Sequence, residues 1–362
     1  MTDNFAIKNN KLTQYRGQEK IVVIPEGITE IGKNAFFRNR KIKKVILPHG
    51  VITIGNNAFA GCENLTELNL PDTVQNIGDC AFQNCQQLTT LQIPNSVINI
   101  GSLAFNKCAS PRDENGFIIA KNIVYGYYGT KKEVVIPNDI TEIAQQAFCG
   151  DCNITSIIIH GNVSRIGVSA FHGCENLKNV EFSEGLKSIG GNAFCACINL
   201  KIISLPKSVS KIEQGAFSNC YALESVDVQS DCLDLDAYIF MCCKSLKSVR
   251  LPNGLTSIPE NTFFNCQKLS GVQIPKSVVS IGKNAFWGCE SLENVVIPDS
   301  VTKINDFSFS YCKNLKIVAT ANSVAHKFCV KRNKKFAIAC TSCNTYNDDS
   351  AIFCHKCGYK LV

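Results

Sequence analysis

Four cysteines near the end of the chain, Cys340, Cys343, Cys354 and Cys357, form two C-x-x-C pairs with ten residues between them. A C-x-x-C turn aims two sulfurs at one point, so two such turns supply the four thiolates of a tetrahedral Zn2+ site. The gap is shorter than the roughly 15 to 20 residues usual for this class. Four sulfur ligands close the coordination shell, which gives the zinc a structural role and leaves no position for a reacting water. His355 lies inside the second pair as a bystander. The segment 340–362 has Tyr346, Ile352, Phe353 and Leu361 as its main apolar groups, too few to offset its ordering entropy without a metal. The competing chemistry, a thioredoxin-like redox C-x-x-C, lacks the βαβ pattern it needs here.

The remaining cysteines tell a different story. The chain has 362 residues and 21 cysteines, of which ten follow a phenylalanine by three positions: Cys62, Cys85, Cys108, Cys174, Cys197, Cys220, Cys243, Cys266, Cys289 and Cys312. Disulfide pairing along such a series would force alternate repeats to differ. An unbroken period instead argues for equivalent reduced thiols, each a small buried hydrophobe offering a weak S–H to a turn carbonyl.

The marker phenylalanines step by 23 residues in two groups, Phe36 to Phe105 and Phe148 to Phe309, twelve in all. In one full unit Leu68 and Leu70 alternate as a half-buried strand does, Pro71 ends the ladder, and Val74, Ile77-Gly78, Ala81-Phe82, Cys85 and Leu88 follow. One unit cannot bury its apolar face alone and must stack on its neighbours. These residues resemble the BspA-like leucine-rich-repeat family of bacteria, whose units read L-x-x-[VIL]-x-[IL]-P-x-x-V-x-x-I-G-x-x-A-F-x-x-C. The resemblance covers residues 5 to about 338. It implies a solenoid with short strands on its faces that binds other molecules, often at the cell surface. The tail, in turn, resembles the short bacterial zinc ribbon ending in F-C-x-x-C-G-x-x-L, here Phe353 to Leu361.

The expected fold is therefore a β-rich leucine-rich-repeat solenoid of about twelve 23-residue repeats with a small C-terminal zinc ribbon built on four cysteines. Residues 1–25 form an N-terminal hairpin or cap, 26–110 a first array, 111–137 an inserted hairpin, 138–318 a second array, 319–339 a C-terminal cap and 340–362 the ribbon. The inserted hairpin is assigned by internal similarity, since Phe117 to Pro137 aligns without gaps on Phe5 to Pro25 with ten of 21 positions identical. The repeat at Gln229 to Asp236 lacks the Pro and the Gly; repeat drift explains it better than a calcium site at Asp234 and Asp236. In the cap, Ser323 to Val330 reads as a short helix and Phe336 to Ile338 as a last strand.

Net charge is +7, and residues 319–362, with six Lys and one Arg against two Asp, hold +5 of it. Lys327, Lys331, Arg332, Lys334 and Lys335 are therefore the candidates for phosphate contact, with a solvated helix face as the simpler reading. No nucleotide-binding, hydrolase or zinc-protease motif occurs, and the five histidines are scattered, so the chain is expected to be a non-enzyme with no small-molecule substrate. Outward strand positions such as Asn69, Glu181, Arg250 and Val296 form neither an aromatic nor a single-sign stripe. The function read from this is a cytoplasmic interaction scaffold for a protein partner, with no membrane segment. The alternative is nucleic-acid contact through the basic cap and ribbon. A secreted role is disfavoured by the reduced cysteines and by the lack of a signal peptide at the N-terminus.

Overall fold

The structure, a computed structural model, describes residues 4–230 and 234–361. Asp231, Cys232 and Leu233 of the degenerate repeat lie outside the described residues. The chain divides into two compact units, Met1–Thr130 with Glu142–Ala147, and Lys131–Thr141 with Phe148–Val362.

Each unit is a coil of short parallel strands. In the first, Lys11–Tyr15, Glu30–Ile31, Thr53–Ile54, Asn76–Ile77 and Asn99–Ile100 lie side by side, and Ile21–Val23, Lys44–Ile46 and Glu67–Leu68 make a separate sheet. Most 23-residue turns thus carry two strands, not the single strand read from Leu68 and Leu70, although the turn at Leu91 lacks the first; the second is the residue pair that ends, in one turn, at Ile77. Only a residue pair in each turn has extended geometry there, which is too short for alternation to register in the sequence. The hairpin Phe5–Lys8 with Lys11–Tyr15 opens this unit, pairing Phe5 with Tyr15 and bulging between Ala6 and Ile7. Phe117–Ala120 with Ile123–Tyr127 repeats it, pairing Phe117 with Tyr127 and bulging at Ile118/Ile119.

The second unit carries strands in register at 23-residue offsets, as in Ile157 with Val180 and Val226 with Val249. Its largest sheet runs from Ile202–Leu205 through Ser248–Arg250, Gly271–Val272 and Asn294–Val296 to Lys316–Thr320, Phe336–Ala339 and Tyr346–Asp348. The last two strands belong to the cap and the tail, so the tail continues the array's sheet.

The core of each unit is a column of phenylalanine rings. Phe36, Phe59, Phe82 and Phe105 stack at 4.9 to 5.7 Å within 9° of parallel. Phe148 to Phe309 stack in the second unit at 4.8 to 5.9 Å within 19° of parallel, and Phe328 of the cap helix closes that column edge-on at 6.0 Å. The helix, Val324–Arg332, is capped by Ser323, which accepts the His326 N–H, and by Asn333 in the left-handed region.

The turn around the marker phenylalanines inside each group, such as Phe59, alternates its hydrogen bonds. Asn57, Phe59 and Gly61 donate their N–H to the next turn, at Asp79, Ala81 and Gln83, while Ala58, Ala60 and Cys62 donate within their own turn. Flipping alternate peptides requires left-handed residues two before and two after the phenylalanine, and Asn57 (φ 55°) and Gly61 (φ 75°) supply them. Asn, which tolerates this region, recurs at the first position as Asn34, Asn192, Asn261 and Asn284. The cysteine at the end of the turn finds its expected acceptor: Sγ of Cys62, Cys85, Cys197, Cys220 and Cys266 lies 3.1 to 3.2 Å from the carbonyl of the marker phenylalanine one turn back. Burial pushes Cys62 up to about 12 and raises Cys197, Cys220 and Cys266, while Cys85 is raised first by its contact with Cys108 and then by burial, so they stay protonated donors.

Candidate metal centre and adjoining groove

The four tail cysteines converge. Their sulfurs all lie within 4.8 Å of one another, the one such gathering of potential ligands among the described residues. Cys340 and Cys357 sulfurs are 3.6 Å apart, as are those of Cys343 and Cys354. Two turns with the same wiring hold them. Asn344 donates its N–H to Cys340 O and Cys340 donates to Thr345 O; Gly358 donates to Cys354 O and Cys354 to Tyr359 O. Asn344 (φ 57°) and Gly358 (φ 69°) are left-handed, which swings the chain back so that both cysteines of each turn face the same point. Cys340 and Cys354 are buried, together with Ile338 and Leu361, in a small apolar cluster.

The residue that joins these turns to the array was not singled out by sequence. Asn347 is 3% exposed and sits opposite Ile338 in the antiparallel pair. Its Nδ2 donates to Ile338 O at 3.3 Å and Thr345 O at 3.0 Å. Its Oδ1 accepts from His355 N at 3.0 Å and faces His355 Nδ1 at 2.8 Å. Because Oδ1 can only accept, His355 carries its proton on Nδ1. His355 is thus a fixed strut of the second turn and is not one of the converging groups. A lone Asn in a polar run carries no pattern, so only the fold reveals it.

The sulfurs share protons as a set. The Thr345 side chain, then its backbone N–H, draws Cys343 down to about 6. Backbone donation from Tyr359 lowers Cys357, but its neighbours, Cys343 first, outweigh that and push it up to about 12. A soft divalent cation displaces such protons, and a four-thiol tetrahedron matches zinc in donor type and number.

A groove of about 1440 Å³ lies beside this cluster, on the outward face of the large sheet. Arg250, Gln273 and Val296 make its floor, and Asn344 and Tyr346 of the tail make one wall. Gly271, with open space where a side chain would stand, deepens it. The outward residues thus enclose a mixed polar surface, which their linear order does not convey.

The basic cap residues are largely engaged within the chain. Lys331 Nζ lies 3.2 Å from Asp306 Oδ1, Arg332 also pairs with Asp306, and Lys334 Nζ donates to Phe309 O at 3.0 Å. Arg332 first, then Lys331, hold the Asp306 carboxyl below its ordinary range. No helix among the described residues is long and apolar enough to cross a membrane.

A family model described as BspA type leucine rich repeat region matches in six copies over residues 7–113, 118–247 and 234–332, stopping short of the cysteine cluster. No curated protein sequence matches the chain. Among solved structures, a leucine-rich repeat protein from Bacteroides ovatus is 25% identical with a TM-score of 0.57, covering 92% of this chain and 96% of its own. A leucine rich cell surface protein from Faecalibacterium prausnitzii is 26% identical, TM-score 0.50, over 89% and 93%. A leucine-rich repeat protein from Eubacterium ventriosum, 24% identical with a TM-score of 0.57 over 77% and 88%, shares the fold.

Proposed function

Because the chain belongs to the BspA-type leucine-rich repeat family, we propose that it is a non-enzymatic interaction scaffold. A protein partner docks in the groove beside the tail, and a single structural zinc on Cys340, Cys343, Cys354 and Cys357 holds the tail as a ribbon. The observation that carries this is the placement of Tyr346: one strand binds it into the array's sheet while its side chain walls the groove. Mixed amide, cationic and apolar lining with an exposed tyrosine is the chemistry of a protein-binding surface. The nucleic-acid alternative loses support, because Asp306 and the Phe309 carbonyl already engage three of the five cap cations.

A reducing, cytoplasmic compartment is part of the proposal and is supported by ladder thiols that donate to carbonyls. The cell-surface neighbour points the other way, so thiols trapped at lysis decide: ladder disulfides in the isolated protein would remove this part.

The scaffold reading is tested by affinity capture with the full-length chain and a Gln273→Arg, Tyr346→Ala variant, each with and without nuclease. A protein retained by the parent, resistant to nuclease and lost with the variant, supports the groove. Capture that vanishes with nuclease would transfer the function to the basic end.

A further inference from the structure

We propose that the four-cysteine cluster is also a peroxide-reactive site that closes into two disulfides between the turns, Cys340–Cys357 and Cys343–Cys354. This rests on the zinc reading above and adds a reaction to it. The two sulfur pairs at 3.6 Å each run from one turn to the other. Each also joins unlike partners: Cys357 is exposed and Cys340 buried, Cys343 is half-buried and Cys354 buried. A small oxidant meets the outer thiolate first, and the inner one waits beside it, which is the arrangement of an attacking and a resolving thiol.

The Cys357 thiolate attacks hydrogen peroxide, breaks the O–O bond, keeps one oxygen as a sulfenic acid and releases hydroxide. The Cys340 thiolate then attacks that sulfur, forms the S–S bond and expels a second hydroxide. The same sequence at Cys343 and Cys354 consumes a second peroxide. Four thiolates and two peroxides give two disulfides and four hydroxides, and Zn2+ leaves with no ligand remaining. Links across the two turns replace the metal as a clasp, so the tail stays closed, whereas links within each turn would leave it open.

The test begins with metal analysis of the untreated full-length chain, then titrates it with hydrogen peroxide while a chromogenic chelator reports released zinc. Cleavage after Lys356 and before Asp348 places Cys340 with Cys343, Cys354 alone and Cys357 alone on three peptides. Under non-reducing conditions the expected result is one zinc released for each two peroxides, with fragmentation showing the two cross-turn links. Cys357→Ser should retain the Cys343–Cys354 link and lose the other. Links confined within each turn, sulfinic acids without disulfides, or zinc retained through excess peroxide would each overturn the proposal. An untreated chain without zinc would remove the zinc reading alone, and the pairing would still be decided by oxidising that metal-free chain.

Discussion

Asn347 offers the sharpest test of how the tail is built. Replacement by Leu preserves volume while removing four hydrogen bonds at 2.8 to 3.3 Å. At about 1 kcal/mol net each the gross loss is near 4 kcal/mol, and the Ile338 and Thr345 carbonyls each lose an amide donor. His355 is exposed, so water satisfies its N–H and part of the loss returns. A net cost of about 2 to 3 kcal/mol should appear as roughly 30-fold to 150-fold weaker zinc binding, in the range of other outer-sphere substitutions. Asn347→Asp separates the two ends of the side chain. It keeps an acceptor for His355 but sets a carboxylate oxygen against the Ile338 and Thr345 carbonyls. That raises its folded-state pKa above the unfolded value, so its stability deficit grows as pH rises between those two values. Competition against a chromogenic chelator at several pH values measures both. A Leu variant binding zinc within threefold of the parent, or an Asp deficit that does not widen with pH, would refute the reasoning.

Cys340→Ser should drop bound zinc well below one per chain in metal analysis, since it deletes a buried sulfur of the proposed site. Phe217→Ala, between Phe194 at 5.4 Å and Phe240 at 5.9 Å, should cost about 3 to 5 kcal/mol in urea unfolding. The thiol ladder makes the array alkali-sensitive: burial raises folded thiol pKa values such as that of Cys62 to about 12, so above the unfolded value near 8.5 only the unfolded chain sheds protons. The urea midpoint should hold steady below about pH 8 and fall as pH rises beyond it, each fully shifted thiol contributing about 1.4 kcal/mol per pH unit; a flat midpoint to pH 10 would contradict this.

The repeat, the cysteine donors and the convergence of the tail cysteines were all legible in the sequence, because each depends on residue type at a fixed spacing; the 23-residue phenylalanine step was legible as a period, and its stacking into a ring column came from the fold. The hairpin similarity was legible too, and its register and bulge recur in both copies. The second strand of each turn was not, since pairs such as Asn76–Ile77 are too short to show a period. Left-handed positions carry a sequence mark where Asn or Gly stands, as at Asn57 and Gly61, whereas Leu103 and Tyr238 adopt the same geometry with no local signal. The cap cations looked free in sequence because Asp306 lies 25 residues from Lys331. Asn347 was hidden because its partners, Ile338, Thr345 and His355, meet it only once the tail folds back as a hairpin, and the groove because that hairpin seats Asn344 and Tyr346 beside the array's strands.

That hairpin's pairing ties the proposed zinc site to the groove. Tyr346–Asp348 is held on one side by Phe336–Ala339, and Tyr346 precedes the residue that fastens the second cysteine turn. With zinc in the proposed site, stripping it would cost the ordering of both cysteine turns, and the strand bearing Tyr346 would keep only its three register pairs. Partner binding and zinc binding should therefore strengthen each other, and linkage requires the same factor in both directions. Stripping zinc with a chelator should weaken a groove-bound partner about tenfold, within the ordinary range of such couplings, and saturating partner should tighten zinc by the same factor. A partner lost with Gln273→Arg but indifferent to zinc would place its contacts on the array floor and leave the tail as a cap alone.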